Sequence, residues 1–428
     1  MDIHPNDLHA ALPNHIQGLA PSQIGLVADR GRTDPTVVKL WIGEGDLPTP
    51  PFVVEAAHRA MLAGETRYTY SRGVPRLHEA LVDYHRRHWG VDVATTRFNV
   101  TAGGMNAIMQ ACQALLSPGD EVLIPSPTWP NGAEAIRVCG GTPVFVPYRQ
   151  ADGRFTLALD DVIAAINPRT RAIIINSPSN PTGWTMPMSE MEALRDACRA
   201  RDLWIISDEV YAHFTYGPPG LHNTRRNDAI APSFLQVCTP DDRLIVTNTF
   251  SKNWAMTGWR AGWMVFPEGM ADVFNKLNQY NTTSIPTFVQ HAAVTALDEG
   301  DGFIRTMVGR CAESRDIMID GLRRIPGVTV MPPDGAFYLM ARIEDPAHPG
   351  ETSLDLAYRL LQDAKVGVAP GTAFGPDGAG MVRICFAVSP DLAREAVARL
   401  TAALSPLQSR HCEAPLGAVA IQDRNTGA

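Results

Sequence analysis

The chain has 428 residues, of which 45% are hydrophobic and 19% charged, and its 37 basic and 45 acidic residues give a formal net charge of −8. This composition is typical of a globular protein with a sizeable core, and the acidic balance argues against binding to nucleic acid or to an anionic membrane. No apolar run is long enough to span a bilayer and the N-terminal residues lack the pattern of a signal peptide, so we expect no membrane partner and a cytoplasmic location.

The cysteine and histidine patterns argue against a disulfide framework and against a metal site. Seven cysteines are dispersed along the chain without CxxC spacing, which favours free thiols in a reducing compartment over a disulfide framework. The twelve histidines form no HxxxH or HExxH pattern. The sequence therefore predicts no metal site.

The N-terminal part of the chain predicts an arm and two short elements. Residues 1–15 are polar and interrupted by proline, which predicts an arm. A helix is predicted from residue 21 to 30 with Ser22 near its N-cap, and a strand from residue 37 to 42. The glycines and prolines of residues 43–51 then predict a loop.

From Phe52 onward, apolar strand patterns alternate with amphipathic helical patterns. The strand patterns occupy residues 98–101, 121–124, 143–146, 172–176, 203–207, 243–247 and 261–266. The helical patterns include residues 105–116, 160–166 and 189–201. Because the strands are apolar throughout, they predict a mostly parallel seven-stranded sheet covered by helices on both faces, with ligands beyond its carboxyl ends.

A second, smaller unit is predicted toward the C-terminus. A long helical pattern at residues 287–324 leads out of the first unit. Strand patterns at 328–331, 336–340 and 382–387 then alternate with helical patterns at 353–363 and 392–404, which indicates a small α+β domain. The predicted domains are a large one (51–309), a small one (16–50 and 310–407) and a flexible tail (408–428).

One stretch places two cations inside the most apolar part of the middle of the chain. A β-branched run ends in Thr249 and Ser251, Lys252 follows, and Arg260 arrives eight residues later in a tryptophan-rich segment. Charged side chains are rarely placed in apolar surroundings without a function. This pattern indicates an amine held in a pocket to form a Schiff base, with a guanidinium beside it that holds an anion.

Two further polar clusters follow apolar strands. Asn180 lies in the segment 176–183, and Asp208 and Tyr211 directly follow the strand pattern at 203–207. Each cluster alone is also explained by turn or helix-cap chemistry. Together, and in this order, they indicate one ligand site at the carboxyl edge of the sheet.

The ordered set of motifs resembles the aspartate-aminotransferase-like, class I/II family of fold-type-I pyridoxal-phosphate enzymes over roughly residues 19–405. The motifs that carry the resemblance are Gly43-Glu44-Gly45-Asp46, Tyr68 with Gly73, Thr101-Ala102-Gly103-Gly104, Asn180-Pro181-Thr182-Gly183, Asp208-Glu209-Val210-Tyr211, Ser251-Lys252 with Arg260, Gly335-Ala336-Phe337-Tyr338, and Arg383. The resemblance implies an α/β fold of large and small domains, pyridoxal 5′-phosphate as cofactor, and an aminotransferase that uses a Lys252 Schiff base.

The resemblance also implies roles around the cofactor ring. Lys252 forms the Schiff base and then carries a proton as general acid and base. Asp208 pairs with the pyridine nitrogen, and Asn180 and Tyr211 hydrogen-bond the phenolic oxygen. Trp129 matches the aromatic residue that stacks on the ring, although a tryptophan in a proline-rich loop is also explained as core.

The phosphate needs several donors, and the sequence offers backbone amides at a helix start, two hydroxyls and a guanidinium. These donors are Gly103, Gly104, Met105, Thr249, Ser251 and Arg260. Tyr68 matches a family residue that reaches the phosphate of the neighbouring subunit. The resemblance therefore implies a homodimer with shared active sites.

The substrate contacts are also implied by the resemblance. Arg383 grips the α-carboxylate in fork geometry, Gly43 adds a close backbone contact, and Trp129 and Asn180 border the same space. In similar enzymes a lysine at the position of Met105 accompanies dicarboxylic substrates. The thioether here favours an L-amino acid donor with a neutral or aromatic side chain, and a 2-oxo acid such as 2-oxoglutarate as acceptor.

Three alternatives stay open at this point. The same scaffold supports carbon–sulfur β-lyases, and aspartate aminotransferase is a second alternative. A regulatory protein with an aminotransferase-like domain is less favoured, because fewer than about 20 residues precede the first family-like segment and no separate domain folds from so few.

Overall fold

A computed structural model describes residue 8 and residues 11–151, 153–216 and 230–404. The predicted tail at 408–428 lies outside these residues, and so does most of the predicted arm before residue 11. The strands are β1 (Val38–Lys39), β2 (Phe98–Thr101), β3 (Glu121–Ser126), β4 (Thr142–Pro147), β5 (Arg149–Ala151), β6 (Arg154–Thr156), β7 (Thr170–Asn176), β8 (Trp204–Asp208), β9 (Leu244–Thr249), β10 (Gly262–Val265), β11 (Val328–Met331), β12 (Tyr338–Ile343), β13 (Val366–Gly367), β14 (Ala369–Pro370) and β15 (Met381–Cys385).

The α-helices follow the same chain order. They are α1 (Asn14–Gln17), α2 (Gln23–Gly31), α3 (Pro51–Leu62), α4 (Pro75–Trp89), α5 (Gly104–Leu115), α6 (Pro130–Val138), α7 (Leu159–Ala164), α8 (Met188–Arg199), α9 (Phe250–Asn253), α10 (Ala271–Asn281), α11 (Thr287–Glu299), α12 (Asp301–Leu322), α13 (Ser353–Arg359) and α14 (Pro390–Leu404). Ser22 caps α2 as predicted, since its hydroxyl accepts a hydrogen bond from the Gly25 backbone N–H at 3.2 Å. None of the described helices combines bilayer-spanning length with a sufficiently apolar sequence.

The larger sheet has seven strands in the order β2-β10-β9-β8-β7-β3-β4. Strand β10 runs antiparallel to both of its neighbours, and the other pairs are parallel. All seven predicted strand patterns lie in this sheet, so the prediction of a mostly parallel seven-stranded sheet is confirmed. The parallel order brings the carboxyl ends of β7, β8 and β9 to one edge.

Both faces of this sheet are buried. Neighbouring residues on a strand point to opposite faces, and consecutive residues of its strands are buried. Ile173 and Ile175 of β7 belong to one apolar cluster, whereas Ala172 and Ile174 belong to another. Helix α5 contacts β9 and β10 on the second face. The unbroken apolar runs of the sequence are thus explained by burial on two faces rather than one.

The smaller sheet is antiparallel, in the order β11-β12-β15-β14. Helices α12 and α14 pack together near it, and a Cβ atom at Gly321 would lie 2.3 Å from Val397 Cγ1. A parallel pair of β1 with β13 joins the N-terminal segment to this unit. The α+β character of the unit agrees with prediction, while the domain boundaries remain predictions.

Two predicted elements differ from the structure. The helix predicted at 287–324 is broken at Gly300 into α11 and α12, and a Cβ atom there would lie 2.2 Å from Trp254 Nε1. A tertiary contact therefore requires glycine at the position where the helix breaks. The strand predicted at 37–42 is shorter in the structure, since only Val38–Lys39 pairs with β13; the backbone of Leu40 then donates to the Gly367 carbonyl oxygen at 2.8 Å and accepts from the Cys385 N–H of β15 at 3.0 Å.

Candidate active site

A cavity of about 450 Å³ opens at the carboxyl ends of β7, β8 and β9. Twelve of the predicted site residues line it, namely Gly43, Gly104, Met105, Trp129, Asn180, Asp208, Tyr211, Thr249, Ser251, Lys252, Arg260 and Arg383. Residues separated by as many as 340 positions therefore meet in one space. Two predicted residues, Gly103 and Tyr68, are not part of its wall.

Lys252 lies one turn beyond the end of β9, in the short helix α9. Thr249 caps this helix, since its hydroxyl accepts a hydrogen bond from the Ser251 backbone N–H at 3.2 Å. The Lys252 ammonium donates to the Gly43 carbonyl oxygen at 2.7 Å. Burial lowers the pKa of Lys252 to about 8, which increases the fraction of neutral, nucleophilic amine near neutral pH.

Asp208 is the last residue of β8, and 4% of its surface is exposed. The Asn176 amide donates to its Oδ2 at 3.2 Å, and the Thr247 hydroxyl lies 3.5 Å from Oδ1. Burial raises the pKa of Asp208 to about 7, and no cation in the described part of the chain forms an ion pair with it. This carboxyl is thus suited to a ligand that brings a protonated nitrogen.

The raised pKa of Asp208 predicts a pH dependence of stability in the cofactor-free protein. The folded-state pKa lies above the ordinary value of about 3.9, so the protonated carboxyl stabilises the fold below about pH 4 and this contribution is lost as the pH rises through 7. We expect the melting temperature of the wild type to fall more between pH 4 and 7 than that of Asp208→Asn, measured by calorimetry. The exposed Glu192→Gln controls for loss of charge, and equal slopes for wild type and Asp208→Asn would contradict the prediction.

Tyr211 and Tyr338 form a pair beside Asp208. Their hydroxyl groups are 2.7 Å apart and their rings meet edge to face, with centroids 5.5 Å apart. Burial raises the pKa of Tyr211, so its phenol stays a hydrogen-bond donor. A Cβ atom at Gly43 would lie 2.0 Å from the Tyr338 hydroxyl, and only glycine therefore fits at that position.

Arg383 on β15 is buried, with 2% of its surface exposed. It donates to Asn180 Oδ1 at 3.1 Å and to the Trp41 carbonyl oxygen, and its Nε has no hydrogen-bond partner. The rings of Tyr338 and Phe374 lie 4.5 and 4.8 Å from the guanidinium carbon. Because no carboxylate of the described residues pairs with it, this buried cation is suited to an anionic ligand.

The opposite end of the cavity is built for a second anion. Gly103 has φ +90° and precedes α5, whose first backbone amides point outward. A Cβ atom at Gly103 would lie 2.7 Å from Arg260 Nη2, so the glycine lets the guanidinium approach this helix start. The Thr249 and Ser251 hydroxyl oxygens lie 2.9 Å apart on the same side. Amides, hydroxyls and a guanidinium together form a donor set suited to a phosphate dianion.

The remaining wall of the cavity is largely apolar. Met105 and Trp129 are partly buried and pack against the same apolar cluster. The sequence assigned no role to several lining residues, namely Ile24, Trp41, Glu44, Ile108, Asn131, Asn176, Thr257 and Tyr338. Tyr338 belongs to a motif that carries the family resemblance, and Asn176 ends a predicted strand. Their contacts with Tyr211 and Asp208, however, are visible only in the structure.

Tyr68 is placed apart from the rest of the predicted site. Its side chain is 94% exposed and lies outside the cavity wall of its own chain. The neighbouring Tyr70 is 64% exposed. Within one protomer, the structure therefore gives Tyr68 no contact with the predicted phosphate site.

The family model described as Aminotransferase class I and II matches residues 35–400. The chain belongs to the class I and II aminotransferases. Enzymes of this family depend on pyridoxal 5′-phosphate, and the cavity fits that cofactor, because it offers a lysine, a buried carboxyl and a phosphate donor set in one space. The prediction of a pyridoxal-phosphate-dependent aminotransferase is thereby confirmed.

Individual relatives agree with this assignment. A protein named probable aspartate/prephenate aminotransferase from Aquifex aeolicus is 36% identical over 377 residues, which cover 87% of this chain and 92% of that protein. Aromatic-amino-acid aminotransferase 2 from Thermococcus litoralis is 34% identical, with 91% of this chain and 97% of that one covered. The solved structure of the Thermus thermophilus aspartate aminotransferase with maleate matches with a TM-score of 0.83 at 34% identity, covering 92% and 100% of the two chains.

The comparisons bear on the alternatives as well. The relatives are named aminotransferases, so the carbon–sulfur lyase is not favoured for this aminotransferase. The family fold also confirms the predicted α/β architecture of fold type I. No group of three or more metal-ligating side chains occurs within residues 11–151, 153–216 and 230–404.

Proposed function

We propose that this aminotransferase takes its amino group from an L-amino acid with a neutral, aliphatic or aromatic side chain and passes it to a 2-oxo acid. The observation that carries the proposal is the charge of the cavity wall. Its lysine and arginine side chains are Lys252, Arg260 and Arg383, and each lies where the cofactor or the α-carboxylate would need it. In the described part of the chain, no lysine or arginine of the wall is left for a distal carboxylate.

The names of the relatives leave the donor open, because they include both aspartate and aromatic amino acids at nearly the same identity. Aspartate therefore stays a candidate donor. The apolar part of the cavity wall favours the apolar class, since Met105, Ile108 and Trp129 line the cavity and belong to one apolar cluster. Burial of an aliphatic or aromatic side chain there would contribute binding energy, whereas a buried carboxylate would lack a partner.

The roles of the chain's own residues follow from their positions. Pyridoxal 5′-phosphate, when bound, supplies an electron-withdrawing ring that stabilises negative charge at the substrate Cα. Arg383 would hold the α-carboxylate in fork geometry, with Asn180 fixing the guanidinium at 3.1 Å. Lys252 Nζ would hold the cofactor covalently and afterwards accept the proton from the substrate Cα.

Three further groups would keep the cofactor in place. Asp208 would accept a hydrogen bond from the ring nitrogen and keep it protonated, because the carboxyl is buried and without another cation. Tyr211, together with Asn180, would hydrogen-bond the phenolic oxygen of the cofactor. Arg260, with the amides at the start of α5 and the hydroxyls of Thr249 and Ser251, would hold the phosphate.

The assembly and location belong to the same proposal. A tyrosine that is 94% exposed on a chain with an otherwise buried site supports a homodimer in which Tyr68 reaches the partner's phosphate site. The described cysteines are free thiols, namely Cys112, Cys139, Cys198, Cys238, Cys311 and Cys385. Free thiols of this kind support a cytoplasmic setting.

A donor panel with 2-oxoglutarate and with pyruvate as acceptors tests the proposed substrate class. We expect phenylalanine, leucine and methionine to give higher kcat/KM values than aspartate. In Met105→Lys, a new cation faces the cavity, and the kcat/KM for aspartate relative to phenylalanine should rise by about tenfold or more. Gln113→Lys adds the same charge on the exposed side of the same helix and should leave the ratio unchanged.

Two outcomes would contradict the proposal. A wild-type enzyme that uses aspartate far better than the neutral and aromatic donors would overturn the donor class. Release of pyruvate and ammonia from cystathionine without any oxo acid would support the β-lyase reaction instead.

A further inference from the structure

A chain of three carboxamide side chains joins the phosphate end of the cavity to the segment that carries Tyr68. Its members are Asn106 and Gln110 on α5 and Asn278 on α10, and the last two are fully buried (0% exposed). Buried amides are tolerated when their donors and acceptors are satisfied. The partners of these three side chains therefore show which parts of the backbone they hold.

The first end of this carboxamide chain fixes the turn before α5. Asn106 Oδ1 accepts hydrogen bonds from the Ala102 backbone N–H at 3.2 Å and from Gln110 Nε2 at 2.9 Å. Ala102 precedes Gly103, whose φ of +90° starts the helix. The bond to Ala102 thus sets the direction of the backbone amides that face the phosphate position.

The second end holds the Tyr68 segment. Gln110 Nε2 also donates to Asn278 Oδ1 at 2.8 Å. Asn278 Nδ2 in turn donates to the carbonyl oxygens of Ser71 and of Val100, the latter at 3.0 Å. Ser71 lies three residues after Tyr68, and its own hydroxyl donates to Asn275 on α10 at 2.6 Å. The amide nitrogens of Gln110 and Asn278 each bridge two acceptors, and the amide oxygen of Asn106 bridges two donors, so a displacement at one end of the carboxamide chain disturbs bonds at the other.

We propose that Gln110 and Asn278 are positioning residues that couple the phosphate-binding turn to the Tyr68 segment of the same protomer. The inference rests on the proposed function, in which Tyr68 serves the partner's site. A phosphate bound in one protomer holds the turn before α5. Through the carboxamide chain, this turn orders Tyr68 of the same protomer, which the partner's site requires. Cofactor binding at the two sites of the dimer is therefore positively cooperative.

The test is a titration of the cofactor-free dimer with pyridoxal 5′-phosphate, followed by visible absorbance and tryptophan fluorescence. For the wild type we expect a Hill coefficient above 1. Gln110→Met keeps the length of the side chain but removes its hydrogen bonds, and should weaken binding by about tenfold and give a Hill coefficient of 1. Tyr68→Phe should also reduce the Hill coefficient to 1.

A matched control is available in Gln290, which is also 0% exposed. Its amide oxygen accepts from the Val74 backbone N–H at 2.7 Å and its nitrogen donates to the Ile285 carbonyl oxygen at 2.9 Å, so it lies outside the carboxamide chain. Gln290→Met should bind the cofactor as the wild type does. A loss seen in both glutamine variants would reflect general destabilisation and would overturn the proposal.

Further results would overturn the proposed coupling between the phosphate-binding turn and the Tyr68 segment. The proposal is overturned by wild-type affinity in Gln110→Met, by a wild-type Hill coefficient of 1, or by undiminished cooperativity in Tyr68→Phe. If Gln110→Met does not fold, the partly exposed Asn106→Ala breaks the same chain at its first end and the same criteria apply. Failure of the proposed function is distinguishable, because sedimentation would then show a monomeric wild-type protein, or the donor panel would show a preference for aspartate, whatever the Hill coefficient of the cofactor titration.

Discussion

Replacing Lys252 by alanine is expected to lower kcat for transamination by about 10³-fold or more. The substitution removes both the covalent attachment point and the group that moves the proton at the substrate Cα. The visible absorbance band of a lysine-bound cofactor should disappear at the same time. Because, among the described residues, the Lys252 ammonium hydrogen-bonds only to the Gly43 carbonyl oxygen, the fold should persist, as measured by circular dichroism.

A second lysine provides the control for this experiment. Lys276 is exposed on α10 and does not line the cavity. Lys276→Ala should retain wild-type kcat and the wild-type absorbance band. Activity of Lys252→Ala within tenfold of the wild type, or a retained band, would disprove the role of Lys252.

Replacing Arg383 by lysine is expected to lower kcat/KM for the amino donor by about 100-fold, or ~2.7 kcal/mol, mainly through a higher KM. Lysine keeps the charge but cannot reproduce the planar fork that grips a carboxylate with two parallel bonds. It also loses the bond to Asn180 that orients the guanidinium. Affinity for the cofactor, measured by titration, should change little, because Arg383 lies at the substrate end.

Arg342 is the matched control for Arg383. It lies on the adjacent strand β12 of the same sheet, and its guanidinium donates to the Ala379 carbonyl oxygen at 3.4 Å. Arg342→Lys should leave KM unchanged. If Arg383→Lys instead loses cofactor and substrate affinity in parallel, the arginine supports the fold rather than the substrate.

The fold could be predicted to the extent that its signals are local. The seven strands of the large sheet are continuous apolar runs, because both faces are buried, and each was located to within about two residues. The break at Gly300 was not predicted, since a single glycine is tolerated in helices and the close approach of Trp254, which excludes a side chain there, is not visible in the sequence. The same holds for β1, which pairs with β13 across more than 300 positions of the chain at only two residues.

The site was predictable where residues follow strands. Asp208 is the last residue of β8 and Lys252 lies three residues beyond β9, and the topology of the sheet brings such positions to one edge. Tyr338 and Asn176 went unassigned, because their roles arise from contacts with Tyr211 and Asp208 that sequence spacing does not reveal.

The carboxamide chain also could not be predicted from the spacing of residues in the sequence. Gln110 and Asn278 are separated by 168 positions, and neither belongs to a motif. Buried amides in helices are ordinarily part of structural packing, so only their hydrogen-bond partners reveal a link between the phosphate turn and the Tyr68 segment.

The distance along the chain between partners in the cavity has a consequence for biosynthesis. The bonds from Arg383 to Trp41 and to Asn180 span 342 and 203 positions, and the bond from Lys252 to Gly43 spans 209. Because chains are made from the N-terminus onward, Lys252 and Asp208 emerge from the ribosome well before β15. A nascent chain therefore contains the residues that would bind the cofactor before it contains the arginine that would bind the substrate carboxylate. A polypeptide that ends before residue 381 lacks Arg383 entirely.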